Sequence, residues 1–266
     1  MSSLPQSLLF LDVHIPNEYI FIVPTQSLTK IMKLVHSLKQ KRSHLLLAGQ
    51  QLSHEFSLIE QIVYKSRNSL RAWSSFKQFL RLRQCLNKLQ KIDPVLLVDS
   101  FLNLFSLPES NVPLTDAPLP TSDAVFFTLF KFLHFVYLLA ELNYACTQTS
   151  QRLTRQLQVK HLLPVMMVLL STTSSLFKCI DPLIKNLDDI YGGIALFRKV
   201  LSPPVSDNLL NICSIKFISH IRPTDLFAFL LNTSERSNLF YRFTLFFEES
   251  KKKKSSQRED YGEIID

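Results

Sequence analysis

The sequence predicts an all-α protein: a helical bundle with an extended N-terminal arm and a disordered basic C-terminal tail. Three observations lead there. Glycine is scarce, with four in 266 residues, and all-β folds use glycine in their turns. Hydrophobic residues make up 46% of the chain and include 21 Phe, more apolar bulk than a disordered chain carries and enough for a sizeable core. From Thr25 onwards the apolar residues recur at helical spacing.

Residues 1–24 read as an extended arm, because Pro5, Pro16 and Pro24 interrupt any helix and Tyr19–Val23 is a short β-prone run. The start lacks a basic n-region and Asp12 breaks its apolar run, so no secretory signal is expected. A helical domain over 25–106 follows. Thr25 caps a first helix reaching about Lys41, with Leu28, Ile31, Leu34, Val35 and Leu38 on one stripe. A second helix runs from Ser43 to Tyr64, with a break available at Gly49. A third, Leu70–Gln90, buries Trp73, Phe76, Leu80, Leu82, Leu86 and Leu89. Asp93-Pro94 is a cap followed by a first-turn proline, starting a short helix to Phe105.

Residues 107–122 hold Pro108, Pro113, Pro118 and Pro120 without periodicity and read as a linker. A long-helix hairpin is expected over 123–201, with helices Asp123–Gln156 and Lys160–Ile180. Asp181-Pro182 opens a further helix that Gly192-Gly193 ends. Leu162–Phe177 falls short of a bilayer span, and Lys131 and His134 interrupt Ala124–Ala140, so both read as buried helices. Residues 202–248 form an apolar helical segment, with a break at Pro203-Pro204 and a turn at Pro223. Residues 249–266 carry Lys251, Lys252, Lys253 and Lys254 and cannot bury a core; they read as the disordered charged tail.

No catalytic constellation, metal site or cofactor is expected. The glycines do not form a phosphate loop or dinucleotide fingerprint, and there is no HExxH or GxSxG. Cys85, Cys146, Cys179 and Cys213 are far apart, which implies isolated reduced thiols rather than zinc ligands or disulfides. His134 reads as a core histidine, and Asp188-Asp189 as a solvated helix end.

Charge is where function becomes legible. The net charge is +8, which favours an anionic partner. Between Gln61 and Ile92 lie Lys65, Arg67, Arg71, Lys77, Arg81, Arg83, Lys88 and Lys91, with no acid among them. On a helix, Lys77, Arg81, Gln84 and Lys88 share one stripe beside the apolar Leu82, Leu86 and Leu89. Such a face suits a phosphate backbone, and its binding weakens steeply with salt. In the preceding motif and just after it, Arg67 and Arg71 can fork onto phosphate, Tyr64 and, as an alternative to a core role, Trp73 can stack, and Asn68 can read a base edge. The candidate RNA-binding residues are therefore Tyr64, Lys65, Arg67, Asn68, Arg71, Lys77, Arg81, Arg83 and Lys88. Lys251–Lys254 is a candidate nuclear import run.

The segment Glu60-Gln61-Ile62-Val63-Tyr64-Lys65-Ser66-Arg67-Asn68, followed by Arg71, Phe76, Lys77 and Arg81-Leu82-Arg83-Gln84-Cys85-Leu86, resembles the N-terminal domain of the nucleolus and neural progenitor protein family. It also resembles the RNase MRP-specific protein subunit of budding yeast. The likeness covers most of residues 50–195. It implies a helical, non-catalytic subunit of a nucleolar ribonucleoprotein whose RNA cleaves precursor ribosomal RNA in the first internal transcribed spacer. RNA contact is carried over to Arg67, Asn68 and Arg71. The implied partners are the RNase MRP RNA, the other protein subunits and precursor rRNA, with no membrane; the implied location is the nucleolus and nucleus. Vertebrate relatives have a long C-terminal region beyond the likeness, to which nothing is carried over. Two other classes fit the composition: a helical adaptor whose basic face meets an acidic protein, and a membrane-associated helical protein.

Overall fold

The computed structural model describes residues 19–20, 25–105, 119–120, 122–159, 162–198, 201 and 222–232. Among them the chain forms six helices and one two-stranded ladder. In chain order these are β1 (Tyr19–Ile20), α1 (Thr25–Leu70), α2 (Ser74–Gln90), α3 (Pro94–Asn103), β2 (Leu119–Pro120), α4 (Ser122–Gln158), α5 (Leu163–Phe197) and α6 (Pro223–Asn232). The all-α expectation holds. The arm meets the proline-rich linker, because β1 pairs antiparallel with β2, Tyr19 opposite Pro120 and Ile20 opposite Leu119. The expected tail, including Lys251–Lys254, lies outside the described residues.

Three expected boundaries do not exist. The helices expected on either side of Arg42 are one 46-residue helix, α1, roughly 70 Å long at 1.5 Å per residue. Ser43 does not start a new helix; its Oγ donates back to the Gln40 carbonyl at 2.7 Å, inside the running helix. Gly49 lowers local helix stability by about 1 kcal/mol. The buried Leu45, Ala48 and Leu52 around it offset that several times over, since a fully buried leucine contributes about 1.5–3 kcal/mol. The same contest is repeated in α5, which continues through Pro182. An interior proline costs about 3 kcal/mol. The apolar stripe Leu176, Ile180, Leu183, Leu187, Ile190, Ile194 and Phe197 is buried on both sides of it, so packing wins. Asp188 and Asp189 accordingly lie within α5 rather than at a solvated end. Gly192-Gly193 does not end the helix, which runs to Phe197.

Other boundaries fall near expectation. The third helix begins at Ser74 rather than Leu70, after a tight turn closed by Trp73 N–H donating to the Leu70 carbonyl at 3.0 Å. Asp93 caps α3, its Oδ1 accepting from Val95 N–H at 2.8 Å. Pro223 opens α6, where a missing N–H costs nothing, instead of marking a turn.

Side-chain contacts fix the packing. Lys41 Nζ donates to the Asp189 carbonyl at 3.0 Å, Asn186 Nδ2 to the His44 carbonyl at 3.2 Å, and Ser175 Oγ to Glu55 Oε1 at 2.6 Å. As one residue number rises the other falls, so α1 and α5 are antiparallel. α4 and α5 form an antiparallel hairpin, and α2 returns antiparallel along α1. Lys88 Nζ meets Glu141 Oε1 at 2.9 Å and ties α2 to α4. The result is a four-helix bundle in the cyclic order α1, α5, α4, α2. α3 and α6 close one end: the Arg42 guanidinium forks onto Asp99, and Thr224 approaches Asp188 at 3.4 Å. There Phe101, Phe105 and Phe197 pack with ring centroids 5.0–5.3 Å apart. The opposite end holds the α1–α2 and α4–α5 turns.

α4 and α5 are each long and apolar enough to cross a membrane by length and composition. The most apolar window is 72% buried in α4 and 33% buried in α5. The reading of both as buried helices thus holds for α4 and only in part for α5.

Candidate nucleic-acid interface

The end of the bundle that carries the two turns is built from acid-free helix segments. α1 has no Asp or Glu after Glu60, α2 has none, α4 has none after Glu141, and α5 has none before Asp181. Antiparallel packing brings these four segments to one end. The described acids sit towards the middle and the other end.

Tyr64, Lys65, Arg67 and Asn68 lie on the last two turns of α1, and all four are exposed. Tyr64 is 85% exposed, so its ring is not core. Arg71 is exposed in the turn before α2. Lys77 and Arg81 follow on the solvent side of α2, with Gln84 exposed on the same stripe. Phe76, Phe79, Leu82, Leu86 and Leu89 anchor the opposite side of that helix in the core. Lys65, Arg67, Arg71, Lys77, Arg81 and Lys91 have no ion-pair partner among the described residues. Trp73 differs from Tyr64: it is half-buried against the core.

Arg83 and Lys88 stand apart from the other candidates. Arg83 forks onto Glu60, Nε to Oε1 at 2.5 Å and Nη2 to Oε2 at 2.8 Å. That hydrogen bonding raises the Arg83 pKa, against the opposing effect of burial. Lys88 is engaged with Glu141 at 2.9 Å. Both cations join helices, and their charges are largely cancelled at short range.

Two cations that the sequence reading missed belong to this end. With Lys88 level with Glu141 on antiparallel helices of equal rise, Lys77 is level with Arg152, and Ser74 with Arg155. Both arginines are exposed on α4. Their signal in the sequence is a second acid-free run, Leu142–Ile180.

Helix ends reinforce the charge. The N-termini of α2 and α5 point to this end, and neither has a side-chain cap or a first-turn acid. Each therefore presents partial positive charge. The C-termini of α1 and α4 carry Arg67 and Arg155 in their last turns, offsetting the negative ends of those dipoles.

Among the described residues no group of three His, Cys, Asp or Glu side chains is placed to hold a metal ion. Burial pushes the Cys85 thiol up to about 11, with Glu141 adding to it, and also raises the Cys146 and Cys179 thiols. Thiols so protonated are poor nucleophiles. Cys213 lies outside the described residues. Burial, aided by Lys131, lowers His134 to about 4, so it is a neutral core histidine.

The family model described as nucleolus and neural progenitor protein, N-terminal, matches residues 12–195. The match takes in α1 to α4, nearly all of α5, and every residue of the α1–α2 surface. No curated protein and no solved structure matches the chain.

Proposed function

The chain belongs to the nucleolus and neural progenitor protein N-terminal family, and from that premise we propose that it is a non-catalytic RNA-binding subunit of RNase MRP. The family is named for nucleolar proteins. In this role the chain binds and stabilises the RNase MRP RNA and neighbouring protein subunits in the nucleolus, while the RNA itself cleaves precursor rRNA in the first internal transcribed spacer. The observation that carries the reading is the acid-free end of the bundle, with Lys65, Arg67, Arg71, Lys77 and Arg81 exposed and without ion-pair partners among the described residues. A folded protein of mixed charge ordinarily intersperses its acids and bases. Here the tertiary packing gathers four acid-free segments.

The groups divide the work by chemistry. Arg67 and Arg71 present forked donors matched to phosphate oxygens. Lys65, Lys77 and Arg81 add charge that displaces counterions from the RNA backbone. Tyr64 offers an exposed ring for an unstacked base, and Asn68 can pair with a base edge. Arg83 and Lys88 hold α2 in place through Glu60 and Glu141 and so orient the surface. Import through Lys251–Lys254 is part of the same proposal.

Recovery of the tagged chain from cells followed by sequencing of the bound RNA tests the reading. The RNase MRP RNA should be enriched, and Arg67→Ala with Arg71→Ala should reduce its recovery. Absence of that RNA from the recovered material would sink the assignment. A second reading, membrane attachment, draws on the thinly buried apolar window of α5; carbonate-resistant partition into a membrane fraction would favour it.

A further inference from the structure

We propose that the groove between α4 and α5 seats a single-stranded segment of RNA, as a second contact beyond the α1–α2 surface; the proposal rests on the RNA-binding reading. The groove has a volume of about 670 Å³, and its walls include Ser150, Gln151, Arg155, Ser174, Phe177 and Lys178. No acid occurs between Leu142 and Ile180. Arg155 and Lys178 are exposed and lack an ion-pair partner among the described residues. Asp181, one turn beyond Phe177, is held by Lys185 at 2.8 Å and marks the upper limit of the acid-free run.

The aromatic placement selects the ligand class. Phe177 is 47% exposed in a chain whose other described phenylalanines are buried or half-buried. It lies next to Lys178 and lines the same groove as Arg155. Tyr144 is 53% exposed and lies on the α4 stripe that continues through Gln151 and Arg155. Exposed rings beside cations form the platform that single-stranded nucleic acid uses, with bases stacked on the rings and phosphates on the cations. A duplex keeps its bases stacked internally and offers nothing to Phe177. An acidic peptide pairs with Arg155 and Lys178 through its carboxylates and needs separate apolar residues for the rings, whereas each nucleotide brings a phosphate and a stacking base together. Ser150, Ser174 and Gln151 supply sequence-tolerant polar contacts. Arg152, level with Lys77, lies one turn from Arg155 on α4 and is exposed.

Binding of the purified full chain to two labelled probes tests this: a single-stranded oligouridine of about ten nucleotides, and an RNA hairpin with minimal loop. Phe177→Ala should weaken oligouridine binding roughly tenfold, the scale of one lost stacking contact, and leave the hairpin within about twofold. Phe177→Trp should retain oligouridine binding. Arg155→Glu should weaken it as Phe177→Ala does, which guards against a packing effect at one residue. Arg67→Ala with Arg71→Ala should weaken both probes. If that double variant weakens binding while Phe177→Ala and Arg155→Glu do not, the groove inference is overturned and the α1–α2 surface stands; a groove that takes a protein segment gives this outcome. If the groove variants alone weaken binding, the groove stands and the α1–α2 assignment falls. Failure of the wild-type chain to bind either probe overturns both.

Discussion

His134 is buried in α4, and burial together with Lys131 lowers its pKa to about 4. Tyr137, one turn away, stacks beside it at 6.3 Å between ring centroids. In the unfolded chain a histidine titrates near 6.5. Between those values the unfolded state takes up a proton that the folded state refuses. The contribution to stability is therefore complete above about pH 6.5 and is lost as pH falls towards about 4, by up to roughly 3 kcal/mol. Thermal unfolding across that range should show the loss, and His134→Leu should flatten it. An equally steep acid limb in the variant would contradict the burial account. Two aromatic residues of the basic stretch separate in the same way. Tyr64→Ala should leave the unfolding midpoint nearly unchanged while lowering RNA affinity. Trp73→Ala should cost a few kcal/mol of stability, because the half-buried indole packs on the core. The exposed cations were legible in the sequence, since a run of lysines and arginines without acids is a local property. The neutralisation of Arg83 and Lys88 was not, because Glu60 and Glu141 reach them only through tertiary packing.

At the scale of elements, helix continuity is decided by burial rather than by local breakers. Asp181-Pro182 has the pattern of a cap and first turn, as Asp93-Pro94 does, yet only the latter starts a helix. The difference is that Leu176 and Ile180 already pack in register with Leu183 and Leu187, so ending the helix would expose a stripe. Local sequence cannot weigh that. Glycine substitutions test it. Nothing lies within 4 Å of a Cβ added at Gly49 or Gly192. Gly49→Ala and Gly192→Ala should each stabilise the protein by about 0.5–1 kcal/mol, read as a raised urea midpoint. Gly193→Ala should gain less or lose, because its Cβ would sit 2.8 Å from the buried Leu38 Cδ2. Destabilisation at Gly49 would mean that α1 bends there, at the break the sequence makes available inside the Ser43–Tyr64 segment.

At the scale of the whole molecule, the central feature is that the described acids lie away from one end of the bundle while cations gather there. α3, α6, the Arg42–Asp99 pair and the phenylalanine cluster lie at one end. Lys65, Arg67, Arg71, Lys77, Arg81, Arg152 and Arg155 gather towards the other. Five of those seven cations were visible in the chain as the Gln61–Ile92 run. The other two join them only because α4 lies antiparallel to α2, which no window of sequence contains. The salt dependence of binding between the full chain and a structured RNA tests this account most directly. Affinity should fall steeply with salt on a log–log scale, and Arg67→Ala with Arg71→Ala should reduce the slope by about one for each cation removed. An affinity indifferent to salt, or a slope unchanged in the double variant, would contradict the claim that this end of the bundle holds the RNA backbone.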